Sequence, residues 1–331
     1  MVHALPVLRL LKLHLPTSEI FWWIESGLAP LLEGDPDLSG LFRFNRQRWA
    51  APKHWSEIFT AVRGMRRQRF DVAIDLQGLA RSAIFTWLAN AGTNIGLDTQ
   101  REGARAAYDR VAPRGSDSEH AVDRYLSVLP MLGVPVHNQF QWLPERPSVA
   151  AQVREKWQPG SHRWIMLLPG ARWDNKRWPV ENFTELARQL LLLAPELKIG
   201  ILGGSDDRAL GHAIAAVDPA RCLDLTGRTS LPEMIEWIRL GELTITNDTG
   251  PMHVATALHK PVIALFGPTD PNRTGPYGQK ENVLQATHLP CVPCLKSYCS
   301  YAEPLACLRS ITPAQVCAQA RRRLFGATVP G

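Results

Sequence analysis

The stretch Leu243-Thr244-Ile245-Thr246-Asn247-Asp248-Thr249-Gly250-Pro251-Met252-His253 holds the fold in miniature. Four apolar or β-branched residues run without a break, as a buried strand requires, and then yield to Asn-Asp-Thr-Gly, residues that favour turns. Pro251 follows where a helix starts well, because proline has no N–H to leave unpaired in the first turn. Strand, polar loop and helix thus succeed one another within 243–258.

The same order repeats outward in both directions. Apolar runs at 164–168, 198–202, 222–225 and 262–266 read as strands, and 179–193, 206–217, 231–239 and 251–258 carry helical spacing. In the first half the strands fall at 20–24, 41–44, 72–76 and 94–97, with helical stretches at 55–67 and 80–90. Continuous apolar strands alternating with helices mean parallel sheets covered on both faces, an α/β fold. A seam near 143–160 contains Pro144, Pro147 and Pro159. It divides the chain into a domain at 1–145, a linker at 146–160 and a second domain at 161–312. The two similar domains are expected to face one another across a cleft at the carboxyl ends of their strands, where such sheets bind ligands. The last helix, 313–325 within the segment 313–331, has no strand after it and is expected to pack back on the first domain. The chain also opens directly on a helix at 3–13, whereas a parallel sheet of this kind normally starts with a strand.

With 331 residues, 45% hydrophobic and 21% charged, the chain has the composition of a globular protein of two domains. No run approaches the ~18–20 apolar residues of a membrane span. The apolar stretch 4–15 is broken by Arg9 and Lys12, with no small-residue cleavage site behind it, so it does not read as a signal peptide. A cytoplasmic location is expected. The net charge of +6 suits anionic partners, and basic residues cluster at 63–69 and 321–323. Neither cluster is interleaved with the aromatics of a nucleic-acid motif, so no nucleic acid is expected, and an acidic membrane surface is the better partner.

Four loops at strand ends carry the candidate chemistry. After 243–246, Asp248 can accept bonds from sugar hydroxyls or simply cap the next helix. Thr249 offers a hydroxyl, and Gly250 lets a ligand approach the backbone at the positive end of the helix dipole, a site suited to a diphosphate. After 262–266, the turn-rich 266–271 (Phe-Gly-Pro-Thr-Asp-Pro) forms a second rim. After 164–168, Lys176 and Arg177 could neutralise a departing diphosphate. After 198–202, the loop 203–207 brings a carboxylate within reach of a ribose, though Asp206 could equally cap a helix.

Together these blocks resemble glycosyltransferase family 9, whose best-known members are the ADP-heptose:lipopolysaccharide heptosyltransferases. The resemblance rests on Leu-Pro-Gly-Ala at 168–171, Lys-Arg-Trp-Pro at 176–179, Asn-Asp-Thr-Gly-Pro-Met-His at 247–253 and Phe-Gly-Pro-Thr-Asp-Pro at 266–271, with Tyr277-Gly278 beyond. In the first half it rests on His3-Ala4-Leu5-Pro6, the stretch 71–78, 101–110 and 120–125. It implies two Rossmann-like domains of the GT-B type, the donor on the second, and transfer of heptose from ADP-heptose to the lipopolysaccharide inner core with inversion and without a required metal. It implies peripheral contact with the cytoplasmic face of the inner membrane. Residue by residue, Lys176 would meet the diphosphate and Asp248 the heptose. Thr249 and Gly250, with His253 in the same block, would line the donor, Asp207 the ribose and the backbone at Thr229 the adenine.

One departure bears on the chemistry. Family members begin with a strand and Gly-Asp-Val-x-His-Ala-Leu-Pro, whose Asp is the proposed base, and this sequence matches from just after that Asp. The reading therefore expects a gene start placed too late, with the N-terminal domain lacking its first strand. The alternative is a nucleotide-sugar-binding protein inactive in this form. His3 is the candidate replacement base. Separately, Cys291, Cys294, Cys299 and Cys307 crowd one stretch, and the first pair has knuckle spacing. They are candidate ligands of a structural zinc, against reduced thiols or a redox pair.

Overall fold

The computed structural model describes residues 1–99 and 101–326. The chain divides into two compact units between Pro144 and Glu145. All strand pairings in both are parallel.

The first unit opens with the helix Leu5–His14, whose Leu5, Val7, Leu8 and Leu10 are buried. Arg9 on the same helix is buried as well. Its guanidinium donates to Asp35 (2.7 Å to Oδ1), Asp37 (2.6 Å) and the Trp142 carbonyl (3.0 Å), so the charge is paired as burial demands. Five strands follow: β1 (Phe21–Glu25), β2 (Gly40–Phe44), β3 (Val72–Asp75), β4 (Thr93–Leu97) and β5 (Arg110–Ala112). They form two sheets, the pair β1–β2 and the triplet β3–β4–β5. Rings from β1 and β2 pack at a tilt against Trp49 and Phe85, with Trp23 at the centre, 4.8 Å from Phe85 and stacked at 5.6 Å on Phe44. At the end of β3, buried Asp75 accepts the N–H groups of Gln77 and Gly78 and the Tyr108 hydroxyl (2.6 Å). Burial and this bond to a carboxylate push the Tyr108 phenol well above its usual range.

The second unit holds one six-stranded sheet of β6 (Arg163–Leu168), β7 (Leu197–Ile201), β8 (Cys222–Asp224), β9 (Leu243–Asn247), β10 (Val262–Phe266) and β11 (Val283–Gln285). Their order is β11-β10-β9-β6-β7-β8. β9 and β10 are buried at every residue, which is why they read as unbroken apolar runs. The helix Val180–Leu191 seats Phe183, Leu186, Ala187 and Leu190 on this core, the three larger side chains each contributing about 1.5–3 kcal/mol.

Two segments differ from the sequence expectation. The stretch expected as a linker contains the helix Pro147–Trp157, which belongs to the second unit. Lys156 pairs with Glu233 at 2.9 Å, and Trp157 meets Trp237 edge-on at 6.5 Å. The helix Pro313–Phe325 also belongs to the second unit rather than to the first domain. Its Val316 and Ala320 join the core formed by the helix Val180–Leu191 and the sheet, and Arg323 pairs with Glu281 at 3.1 Å. A terminal helix with an apolar stripe packs on the nearest uncovered face of its own core. β5 and β11, three residues each, are edge strands too short to stand out as apolar runs.

Candidate functional site

β6 lies in the middle of its sheet, with β7 on one side and β9 on the other. The chain moves outward from β6 through β7 and β8 and then returns to the other flank. The loops after β6 and β9 therefore flank a switch point, where open α/β sheets bind ligands. Lys176, in the single turn Asp174–Lys176 after β6, places its Nζ 2.6 Å from Oδ2 of Asp248, which follows β9. Thr269, in the loop after β10, donates its hydroxyl to the same oxygen at 2.7 Å. Lys176 also sits 4.7 Å from the centre of the Trp173 ring, a cation–π contact. The Asp248 side chain is 7% exposed and that of Lys176 18%, so the pair is largely withdrawn from water. Both donors reach Oδ2, and the other carboxylate oxygen takes no bond from the described residues.

A polar scaffold fixes these loops. Asn247, fully buried, accepts the Trp178 N–H at 3.1 Å and donates to the Pro169 carbonyl at 2.7 Å, clamping both ends of the loop after β6 to the end of β9. The Trp178 indole donates to the Ile311 carbonyl at 2.9 Å. Gln285, the last residue of β11, donates its amide to the carbonyls of Gly267 and Thr269 at 3.2 and 2.8 Å, which holds the loop carrying Thr269.

The helix Gly250–Ala257 begins beside this cluster. Thr249 occupies the capping position in extended conformation and supplies no side-chain cap. The alternative reading of Asp248 as a helix cap therefore does not hold: its carboxylate serves Lys176 and Thr269 instead. A Cβ added at Gly250 would meet nothing within 4 Å. An uncapped helix start with open space before it, a cation and an oriented carboxylate together make a site for a ligand that is anionic at one end and hydroxylated at the other.

The neighbouring loops place the remaining donor candidates. Asp207 accepts the Gly204 N–H at 2.9 Å, capping its own turn. The same carboxylate lies over Gly170, where a Cβ would come within 2.3 Å of it, so it borders the loop after β6. Asp206 makes only a 3.4 Å contact with Ser205 and caps nothing. Thr229 is half-buried just before the helix Leu231–Leu240. His253 lies half-buried on the helix Gly250–Ala257, and Arg177 is turned back on its own loop, donating to the Ala171 carbonyl at 2.9 Å.

Residues 58–304 match the family model of glycosyltransferase family 9 (heptosyltransferase), a span that takes in all of these loops. The chain belongs to glycosyltransferase family 9. It is 28% identical over 311 residues to lipopolysaccharide heptosyltransferase 1 of Pseudomonas aeruginosa, covering 91% of this chain and 84% of that one. It is 28% identical over 236 residues to lipooligosaccharide heptosyltransferase 2 of Haemophilus influenzae, 66% of each chain. The fold is that of the ADP-heptose lps heptosyltransferase II of E. coli, with a TM-score of 0.79 at 22% identity over 98% of this chain and 95% of that one. The E. coli heptosyltransferase WaaC with ADP superposes with a TM-score of 0.74 at 22% identity, over 97% and 95%.

In this family 9 member His3 stands in the short turn Val2–Ala4, its ring edge-on to that of His120 at 5.3 Å. His120 in turn accepts the Val122 N–H at 3.2 Å and caps the helix Ala121–Leu126. A groove of the first unit is lined by Ser26, Arg43, Asn45, Arg48, Ser56 and Thr60. The four clustered cysteines carry free thiols, and among the described residues no group of three or more His, Cys, Asp or Glu is arranged to hold a metal ion. Their stretch is tied to the loops after β6 and β10: Leu295 N–H donates to the Pro268 carbonyl at 2.7 Å, and Asn175 to the Lys296 carbonyl at 2.9 Å. Burial, and then the neighbouring thiols of Cys291, Cys299 and Cys294, push the Cys307 thiol up.

Proposed function

We propose that the protein transfers heptose from ADP-heptose to the inner core of lipopolysaccharide, with inversion at the anomeric carbon, at the cytoplasmic face of the inner membrane. The observation that carries this reading is the Lys176–Asp248–Thr269 cluster beside the uncapped start of the helix Gly250–Ala257. The names of the relatives, lipopolysaccharide and lipooligosaccharide heptosyltransferases, support the same sugar and acceptor. The absence of any helix long and apolar enough to cross a membrane, among the described residues, is consistent with a peripheral placement.

In the reaction an acceptor hydroxyl attacks the anomeric carbon in line with the departing diphosphate. The bond from that carbon to the phosphate oxygen breaks, and ADP leaves with the electron pair. Lys176 and the N–H groups at the helix start meet the charge gathering on the diphosphate, an arrangement that stabilises the transition state more than the ground state. Asp248, held by Lys176 and Thr269 through one oxygen, offers the other to heptose hydroxyls. Asp207 and the backbone at Thr229 take the ribose and adenine. The acceptor is held by the first unit, where the groove with Arg43 and Arg48 suits an anionic sugar. Proton removal needs a base at the acceptor hydroxyl, and His3 is the candidate among the described residues.

The test is purified protein with ADP-heptose and a heptose-free lipopolysaccharide core. Acceptor-dependent release of ADP, with an inverted linkage by NMR, is the expected result. Saturable donor binding without any transfer, under conditions where a relative is active, would refute the reading and leave a nucleotide-sugar binder.

A further inference from the structure

Residues 43–69 contain eight Lys or Arg against a single acidic residue, Glu57, while the whole chain carries a net +6. The positive charge of the protein is thus concentrated in this one segment. Much of it forms the helix Trp55–Arg67, where Trp55, Phe59, Arg63 and Arg66 recur at helical spacing on one stripe. Trp55 is 60% exposed and Phe59 69%. The helix Ala80–Leu88 presents Ile84, 53% exposed, and Trp87, 60% exposed, one turn apart, with Arg81 a turn earlier. Arg66 donates its Nε to the Leu88 carbonyl at 2.9 Å, joining the two exposed faces. None of Arg63, Arg66, Arg67 and Arg81 has a carboxylate partner among the described residues.

A folded surface that leaves two tryptophans, a phenylalanine and an isoleucine in water, ringed by uncompensated guanidinium groups, has a definite complement. Tryptophan rings favour the zone between headgroups and acyl chains, and arginines favour anionic headgroups just above it. The groove with Arg43 and Arg48 lies on the other flank of the helix, and there Glu57 pairs with Arg48. The exposed stripe has no such counter-charge. A protein partner would need acidic and apolar groups in matching register, whereas an anionic lipid surface supplies both over its whole area.

We propose that the exposed faces of the helices Trp55–Arg67 and Ala80–Leu88 form the surface by which the protein docks on an anionic lipid bilayer, with Trp55, Phe59, Ile84 and Trp87 inserted at headgroup depth. The inference builds on the peripheral placement proposed above and specifies the surface responsible. Its test is read without donor or acceptor. The intact protein is sedimented with vesicles of phosphatidylethanolamine containing about a third phosphatidylglycerol, and with vesicles of phosphatidylcholine alone. Binding is expected to the first only, with a blue-shifted tryptophan emission and release by high salt. Each cation at an anionic surface raises partitioning about fivefold, so the double variant Arg63→Glu/Arg67→Glu should bind at least about tenfold more weakly. Phe59→Ser/Trp87→Ser should lose roughly tenfold or more and the blue shift with it. Both should keep the wild-type melting temperature and, with a detergent-dispersed acceptor, the wild-type rate of transfer. Equal binding by wild type and both variants would overturn the proposal. So would a wild-type protein that does not bind, or one that dimerises through this face in a way that Phe59→Ser/Trp87→Ser abolishes. Loss of the heptosyltransferase reading would leave the vesicle result standing, and a negative vesicle result would leave the transfer assay untouched.

Discussion

Replacing Lys176 by methionine separates what the Lys176–Asp248 pair does for the fold from what it does for the reaction. At 2.6 Å and an effective dielectric of ~20 the gross attraction is about 6 kcal/mol. Desolvation of the two side chains cancels most of it, and the 18% exposure of Lys176 screens the rest, leaving a net coupling of about 1–3 kcal/mol. Lys176→Met strands the Asp248 carboxylate, 7% exposed, with the Thr269 hydroxyl alone, and should lower unfolding stability by about 2–3 kcal/mol. Lys176→Met/Asp248→Asn removes both charges at nearly constant shape and should recover stability to within about 1 kcal/mol of wild type. Catalysis should behave otherwise. In the role proposed for Lys176 opposite the departing diphosphate, its loss should cost about 10²–10³ in kcat in the single variant, and the double variant should regain none of it. Urea unfolding and steady-state kinetics on wild type, Lys176→Met, Asp248→Asn and the double variant supply the two cycles. A double variant that loses the sum of the two single losses would mean that the pair is not coupled, and a single variant with wild-type kcat would remove Lys176 from the diphosphate.

Gly250→Ala introduces a methyl that meets nothing within 4 Å beyond its own helix and chain neighbours, at the first position of a helix, so the melting temperature should hold or rise, alanine being better there by up to about 1 kcal/mol. Donor affinity, measured by calorimetry with ADP-heptose, should instead fall by about tenfold, because the methyl would occupy the open space at the helix start where the diphosphate is proposed to sit. Asn247→Ala leaves the Trp178 N–H and the Pro169 carbonyl without their buried partner and should cost about 2–4 kcal/mol in urea unfolding, with donor affinity reduced as the loop after β6 loosens. The Tyr108 phenol is raised by burial and by its bond to Asp75. Its contribution is therefore fully present below the ordinary tyrosine range near pH ~10, and is lost as pH climbs from there through the folded value. The urea midpoint of Tyr108→Phe should lie a fixed distance below wild type up to about pH 10 and converge on it above that, and a gap that widens would reverse the assigned sign.

The sequence by itself determined the α/β class and the positions of the longer strands. An unbroken apolar run such as 262–266 admits no other use in a chain that alternates it with amphipathic helices. It also marked Lys176, Asp248, Thr249 and Gly250, because loops at strand ends are where a parallel sheet exposes polar groups. The tertiary structure decided what those residues face. Lys176 and Asp248 are 72 positions apart, and only the order β9-β6 in the sheet makes them neighbours. Thr269 enters the site because β10 lies beside β9, and Asn247, the last residue of its strand, proves to be a buried clamp. Whether Asp248 caps a helix or holds a lysine cannot be read locally, since both uses want the same residue in the same place. The helix Pro313–Phe325 shows the same limit: its stripe announces burial, but the surface that buries it is set by the groove left open in the second unit. Local pattern is fixed by side-chain type and spacing, whereas partnership between distant loops depends on strand order, which no single segment encodes.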